Sequence, residues 1–317
     1  MLPSSESAYE IRDVSTWVRL YDEPQGQKNK CWLIEPPTLA GANKERHWLF
    51  KDRAQGGDDW AERVAYEVAK ELQLPCPHTE LARRETTLGV MSLDFKENFV
   101  RGDLLLGNEL LFEDDPNYPR GRHFRGGAHT VDKVLTLLSH PDIAVPEPLA
   151  GKLASAADLF LGYLMLDVLI GNTDRHHENW GILRQPTDSC PKAAVLAPSF
   201  DHAASLGQIL RDDEREGRLR TKDKGYQVGA YVEKARSALL QSPGDVRPLT
   251  LMDALITAGR RLPQGAKFWQ SALSEVSEQA LSRCVGRVPD TLASYWAKLF
   301  ANAMLLTNRQ RILEVRF

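Results

Sequence analysis

The chain has 317 residues, a formal net charge of -3 and a pI near 6.3, a balance that excludes a dedicated basic nucleic-acid binder. With 42% hydrophobic residues it carries enough apolar material for real cores, which excludes disorder as the main state. Its four cysteines, Cys31, Cys76, Cys190 and Cys284, lie far apart with no C-x-x-C pair. That spacing argues against a disulfide scaffold or zinc knuckle and for a reducing, cytoplasmic setting.

The N-terminus, MLPSSESAYEIRD, has no basic start followed by an apolar run, so no secretion signal is expected. Gln25, Gly26, Gln27, Lys28, Asn29 and Lys30 form a turn-like stretch whose backbone N–H groups and cationic side chains suit phosphate. One glycine is a weak signal, and no G-x-x-x-x-G-K-[ST] sequence occurs. Short apolar runs at 31–34 (CWLI) and 47–51 (HWLFK) read as strands, the second ending in Lys51. Between 59 and 74, Ala61, Val64, Ala65, Val68, Ala69 and Leu72 recur at helical spacing before Pro75. On that helix Glu62 borders the apolar stripe and Glu67 lies toward the opposite, solvent side, so Glu62 is the better carboxylate to fix Lys51.

Residues 81–93 return to strand-like runs around a turn at 84–87. The stretch 90–94 (VMSLD) falls where two lobes would connect, which makes the backbone of Met91 and Leu93 the candidate adenine contact. A long loop is expected over 108–127, where acidic and basic clusters mix with turn formers. Helices are expected at 130–139, 155–170, 249–261, 268–277 and 290–306. The longest apolar stretch, 159–170, is interrupted by Gly162 and Asp167, so no membrane span is expected.

After the buried helix comes LIGNTDRHHENWGIL (169–183), and after a short connection LAPSFDHAASLG (196–207). Asp174 precedes Asn179 by five positions, and Asp201 follows. This is the order phosphoryl transfer needs: an Asp for the acceptor hydroxyl, an Asn on one magnesium, and a later Asp on the metal that bridges the ATP phosphates. The same D-x-x-x-x-N spacing occurs in protein-kinase catalytic loops. His176 either contacts the transferring group or ties the loop together, while His177 and Glu178 are expected to face solvent or pack locally. Asn179 and Asp201 suffice as protein ligands for magnesium, which keeps water and phosphate in its shell. Phe200 is a candidate wall of the nucleotide pocket. The run at 211–224 (RDDEREGRLRTKDK) reads as a solvated loop or as an activation or docking segment. The expectation is therefore an α+β, two-lobed kinase: a β-rich N-lobe over 1–93, a helical C-lobe over 94–317, and ATP with Mg2+ between them.

These segments, with AERVAYEVAKELQLPCP (61–77) and LGVMSLD (88–94), resemble the HipA-like kinases, a bacterial serine/threonine kinase family that includes toxins of toxin–antitoxin pairs. The resemblance runs from about residue 25 to 207, more loosely beyond, and implies a protein Ser/Thr acceptor and an antitoxin-like partner. It places Glu62 at the family's acidic position. Full-length family toxins carry an additional N-terminal subdomain, and only about two dozen residues precede Gly26 here. Lys28 stands where the family often has Gln, and the loop lacks a serine for autophosphorylation. Nothing in the sequence supports a membrane anchor. A lipid or small-molecule kinase, a nucleotide-binding pseudokinase, and adenylylation on the same fold are the competing readings.

Overall fold

The computed structural model describes residues 7–23, 29–37, 45–54, 56–98, 102–119, 128–184 and 194–317. The first part is a six-stranded sheet of β1 (Ile11–Asp13), β2 (Val18–Asp22), β3 (Lys30–Glu35), β4 (Arg46–Asp52), β5 (Thr79–Arg84) and β6 (Thr87–Leu93), with α1 (Asp58–Glu71) between β4 and β5. The order across the sheet is β1-β5-β6-β4-β3-β2, antiparallel except that β1 runs parallel to β5. Alternation sets its two faces. Cys31, Leu33, Trp48, Phe50 and Met91 fill a small core with Val14 and Trp17, while Lys30, Trp32, Leu49, Lys51 and Ser92 belong to the other face. The expected strands at 31–34 and 47–51 lie inside β3 and β4. The expected turn at 84–87 is the β5–β6 hairpin, where Glu85 adopts φ 55°.

The helix read at 59–74 is α1, which stops at Leu72 as Gln73 turns to φ 56° ahead of Pro75. It is buried almost all round, because it packs on β5 and β6 on one side and on elements of the second lobe on the other.

Beyond β6 come α2 (Phe95–Asn98), β7 (Asp103–Leu106), α3 (Gly107–Asp114), α4 (Val131–Leu138), β8 (Ile143–Ala144), α5 (Ala156–Ile170), β9 (Gly181–Arg184) and β10 (Ala194–Leu196). Strands β7-β9-β10-β8 make a second, four-stranded sheet. The chain closes with α6 (Asp212–Arg220), α7 (Val228–Lys234), α8 (Leu251–Arg261), α9 (Pro263–Glu275), α10 (Glu278–Gly286) and α11 (Tyr295–Glu314). Every residue of α5 is buried, as its all-round apolar sequence requires, with α4, α8, α9 and α11 around it. Ser155 and Asp158 cap its start, and Gly171, at φ 67°, ends it in a left-handed turn that glycine adopts without strain.

Several expectations are corrected. The long loop at 108–127 begins instead with α3, started by Glu109 Oε2 accepting the Leu106 N–H at 3.0 Å; residues 120–127 lie outside the described residues. The charge run at 211–224 contains α6, held by i,i+4 pairs Glu214–Arg218 and Glu216–Arg220 and packed on α11. The helix read at 268–277 is α9, which starts earlier with Pro263 in its first turn, and Ser277 is the N-cap of a further helix, α10. The helix read at 290–306 starts later, at the Ser294 cap, and runs on to Glu314. No helix among the described residues is long and apolar enough to cross a membrane. Cys31, Cys76 and Cys284 are free thiols.

Candidate functional site

Cross-strand register brings two rows of side chains to the inner face of the first sheet. Lys30 pairs with Lys51, and Lys51 with Val90; one row along, Trp32 pairs with Leu49, Leu49 with Ser92, and Ser92 with Thr79. Lys51 Nζ donates to Glu62 Oε1 at 2.7 Å and to Asp201 Oδ1 at 3.2 Å, and Lys30 Nζ lies 3.8 Å from Asp201 Oδ2. Burial opposes the charge on Lys51, but Asp201 and Glu62 outweigh it and hold the pKa above the usual lysine range. Lys51 is therefore an ammonium throughout the physiological range. Glu67, the competing carboxylate, is engaged by Arg63 at 2.6 Å and Lys70 at 3.4 Å.

The loop after α5 is built around Arg175. Its buried guanidinium donates to both oxygens of Asp167 (2.8 and 2.8 Å), to Asn179 O (2.8 Å) and to Ser199 Oγ (2.9 Å). One side chain thus joins α5, the 174–179 loop and the approach to Asp201. Ser199 in turn contacts His202 Nε2 at 2.7 Å. Burial, then the Arg175 charge, keeps His202 well below its ordinary pKa, hence neutral. Asn179 Nδ2 donates to Asp174 O at 2.7 Å, which leaves its amide oxygen to offer a cation. Asp201 sits at φ 58°, a left-handed conformation uncommon for a non-glycine residue.

Between the two parts lies a cavity of about 590 Å³, within the range of small-molecule sites. Lys30, Lys51, Glu62, Leu93, Asn179, Phe200 and Asp201 all line it, with Trp32 and Leu49 on the strand side. Phe200 stacks on Phe95, ring centroids 5.8 Å apart and planes at 19°. Asp174 and His176 are not among the lining residues. Asp174 is exposed on the same loop, and His176 Nε2 approaches its carboxylate at 3.9 Å while His176 Nδ1 accepts the Glu178 N–H at 3.1 Å. Glu178 lines the cavity, but His177 packs inward against Tyr118.

Of the two residues expected at the adenine contact, Leu93 lines the cavity and Met91 does not. Met91 is buried in the first-sheet core, with β4 and β5 pairing to its strand on both sides, and the Leu93 N–H donates to His78 O at 2.8 Å. The connecting residues that reach the cavity are Leu93, Asp94, Phe95 and Lys96. Gln25, Gly26, Gln27 and Lys28 lie outside the described residues. Asn29 is at the start of β3, its carbonyl accepting the Asp52 N–H at 3.0 Å.

Sequence reasoning passed over Trp32, Leu49 and Arg175. Leu49 was findable, since strand alternation puts the residue two before Lys51 on the same face. So was Arg175: an aspartate inside an apolar helix, here Asp167, demands a buried cation.

The residues present fit a magnesium–nucleotide. Asp201 offers a carboxylate and Asn179 an amide oxygen at the cavity, and among the described residues no group of three His, Cys, Asp or Glu forms a cage of its own. Magnesium characteristically takes so few protein ligands when phosphate supplies the rest.

Behind the loop, His129 Nδ1 donates to Ala238 O (3.1 Å) and its Nε2 accepts from the Trp180 indole (3.2 Å), which fixes a neutral ring. Burial, then His177, lowers its pKa to about 3. A folded-state pKa depressed below the unfolded value means stability that is present above about pH 6.5 and lost as the pH falls. From pH 7 to pH 5 the unfolding free energy should fall by roughly 2 kcal/mol through this residue, with His202 adding in the same direction. The gap between the urea midpoints at the two pH values should narrow in His129→Gln. An undiminished pH dependence in that variant would refute the assignment.

No protein-family model and no curated protein sequence matches the chain. Solved structures do. It superposes on the Helicobacter pylori proinflammatory kinase CtkA with a TM-score of 0.70 at 16% identity, covering 97% of this chain and 100% of that one. It also superposes on Shewanella oneidensis HipA, from a toxin–antitoxin complex with HipB and operator DNA, with a TM-score of 0.54 at 12% identity over 94% of this chain and 68% of the other. The fold is that of the HipA-like kinases, two-lobed and α+β.

Proposed function

We propose that the chain is an ATP- and Mg2+-dependent kinase that transfers the γ-phosphate to a serine or threonine hydroxyl of a protein. One observation carries this reading: Lys51, Glu62, Asn179 and Asp201, separated by up to 150 positions in sequence, converge on one cavity. Lys51, with Lys30 beside it, would hold the triphosphate, and Glu62 fixes the Lys51 ammonium. Asp201 and Asn179 would hold the metal, whose contribution is to neutralise charge on the phosphates. Asp174, exposed on the loop that Arg175 anchors, orients the acceptor hydroxyl and takes its proton. The open position of Asp174 suits a macromolecular acceptor better than one enclosed in the cavity.

The experiment is incubation of the purified protein with ATP, Mg2+ and candidate protein acceptors, followed by intact mass and site mapping. A phosphoryl group on serine or threonine is the expected product. Addition of AMP, or ATP binding without any transfer, would replace this reading by adenylylation or by a pseudokinase. A small antitoxin-like protein is the proposed partner, supported by the HipB assembly of the Shewanella neighbour. Co-purification with such a protein would test it.

A further inference from the structure

We infer that Thr79 and Ser92 select the base, with Ser92 Oγ acting as a hydrogen-bond acceptor for the exocyclic amine of adenine. The inference rests on the reading of the cleft as a nucleotide site and adds the residues that would discriminate one purine from another.

The two rows on the inner face orient a nucleotide. Lys30 and Lys51 mark the phosphate end by their shared contact with Asp201. Two residues along the same strands, roughly 7 Å further by strand rise, Trp32 and Leu49 supply an apolar roof. Phe200, backed by Phe95, gives an aromatic surface in the same cavity. A planar base fits between them. Ser92 and Thr79 continue the Trp32–Leu49 row toward the interior strands, and both line the cavity, so they meet the edge of that base.

The contact with Pro77 argues for one direction of these hydrogen bonds. Thr79 Oγ1 lies 3.0 Å from Pro77 O, and a carbonyl only accepts, so the Thr79 hydroxyl proton is committed there. Thr79 Oγ1 is also 3.2 Å from Ser92 Oγ. Having given its proton to Pro77, Thr79 can only accept from Ser92. The Ser92 proton therefore points at Thr79, and the Ser92 oxygen turns a lone pair to the cavity. An amine at purine position 6 satisfies that lone pair. A 6-oxo group meets it as a second acceptor, and relief would require Ser92 to abandon Thr79.

The test measures binding of ATP and of inosine triphosphate, each with Mg2+, by calorimetry on the full chain. Inosine differs from adenosine only at positions 1 and 6 of the base. The wild type should favour ATP by about tenfold or more, the worth of one such discrimination. Ser92→Ala should narrow the ratio by about tenfold through weaker ATP binding. Thr79→Val should narrow it from the other side, by freeing the Ser92 proton to meet the 6-oxo group. Melting curves check that both variants fold, and the two opposite routes to a smaller ratio separate recognition from general damage. Wild-type preference with unchanged ratios in both variants overturns this inference alone. Absence of any nucleotide binding by the wild type overturns it together with the proposed function.

Discussion

Asp201→Ala is expected to lower phosphoryl transfer by about 10³-fold, the scale of losing a preorganised electrostatic group at the reacting phosphate. The carboxylate has two tasks in the structure. It is the one acidic group of the 196–207 segment on the cavity, and it neutralises both Lys51 and Lys30. Its removal takes from Lys51 one of its two carboxylate partners and from Asn179 the carboxylate proposed to share the cation. The Mg2+ concentration for half-maximal rate should therefore rise as kcat falls. Asp201 is about a quarter exposed, so the melting temperature should change little. Asp174→Ala makes the informative contrast. Because Asp174 does not line the cavity, that variant should keep its KM for ATP and lose ~10²- to 10⁴-fold in kcat. Steady-state kinetics on both variants decide the matter. Wild-type turnover in either would remove that residue from the proposed machinery.

Arg175→Ala should cost about 3–5 kcal/mol, because it leaves Asp167 buried with no compensating cation. Against a total stability of roughly 5–15 kcal/mol, that is a loss of about a fifth to nearly all of it. Arg175→Lys should not restore it. One ammonium cannot span both Asp167 oxygens, Ser199 Oγ and Asn179 O, which the planar guanidinium reaches together. Joint replacement, Asp167→Leu with Arg175→Met, removes the stranded charge and should recover most of the stability lost in Arg175→Ala. Activity should stay low in that double variant, since the 174–179 loop loses its tie to the segment leading to Asp201. Urea unfolding and turnover measured on the same preparations would test both halves; full activity in the double variant would show that Arg175 only stabilises the fold.

What the sequence revealed, and what it concealed, follows the range of the interactions. Lys51, Glu62, Asn179 and Asp201 stand in short segments whose spacing is itself chemical information, and they meet in the cavity. The helices α1 and α5 were visible because their apolar positions repeat over three or more turns. The helix α6 was hidden by charge on every side, yet its acidic first turn and basic last turn complement the helix dipole and mark it in hindsight. That Met91 is enclosed while Leu93 to Lys96 reach the cavity depends on strand partners: the His78 carbonyl claims the Leu93 amide, and only a neighbouring strand could disclose that. Ser277 and Ser294 have the side chains of helix caps, but the end of one expected run and the inside of another conceal that role until the chain's turns are seen.

The helix carrying Glu62 touches β5 and β6 in front and α10 and α5 behind. Nearby, Arg53 donates to Leu292 O at 2.9 Å, and Tyr9 reaches Cys284 O at 2.8 Å. A hinge-and-swing regulator needs a helix with solvent on one flank, into which it can retreat. Here each outward step would open a void on one side and a clash on the other. The Lys51–Glu62 pair is therefore held by packing on both flanks of this helix, and on the proposed reading control would act at the cleft and not through a swing of α1.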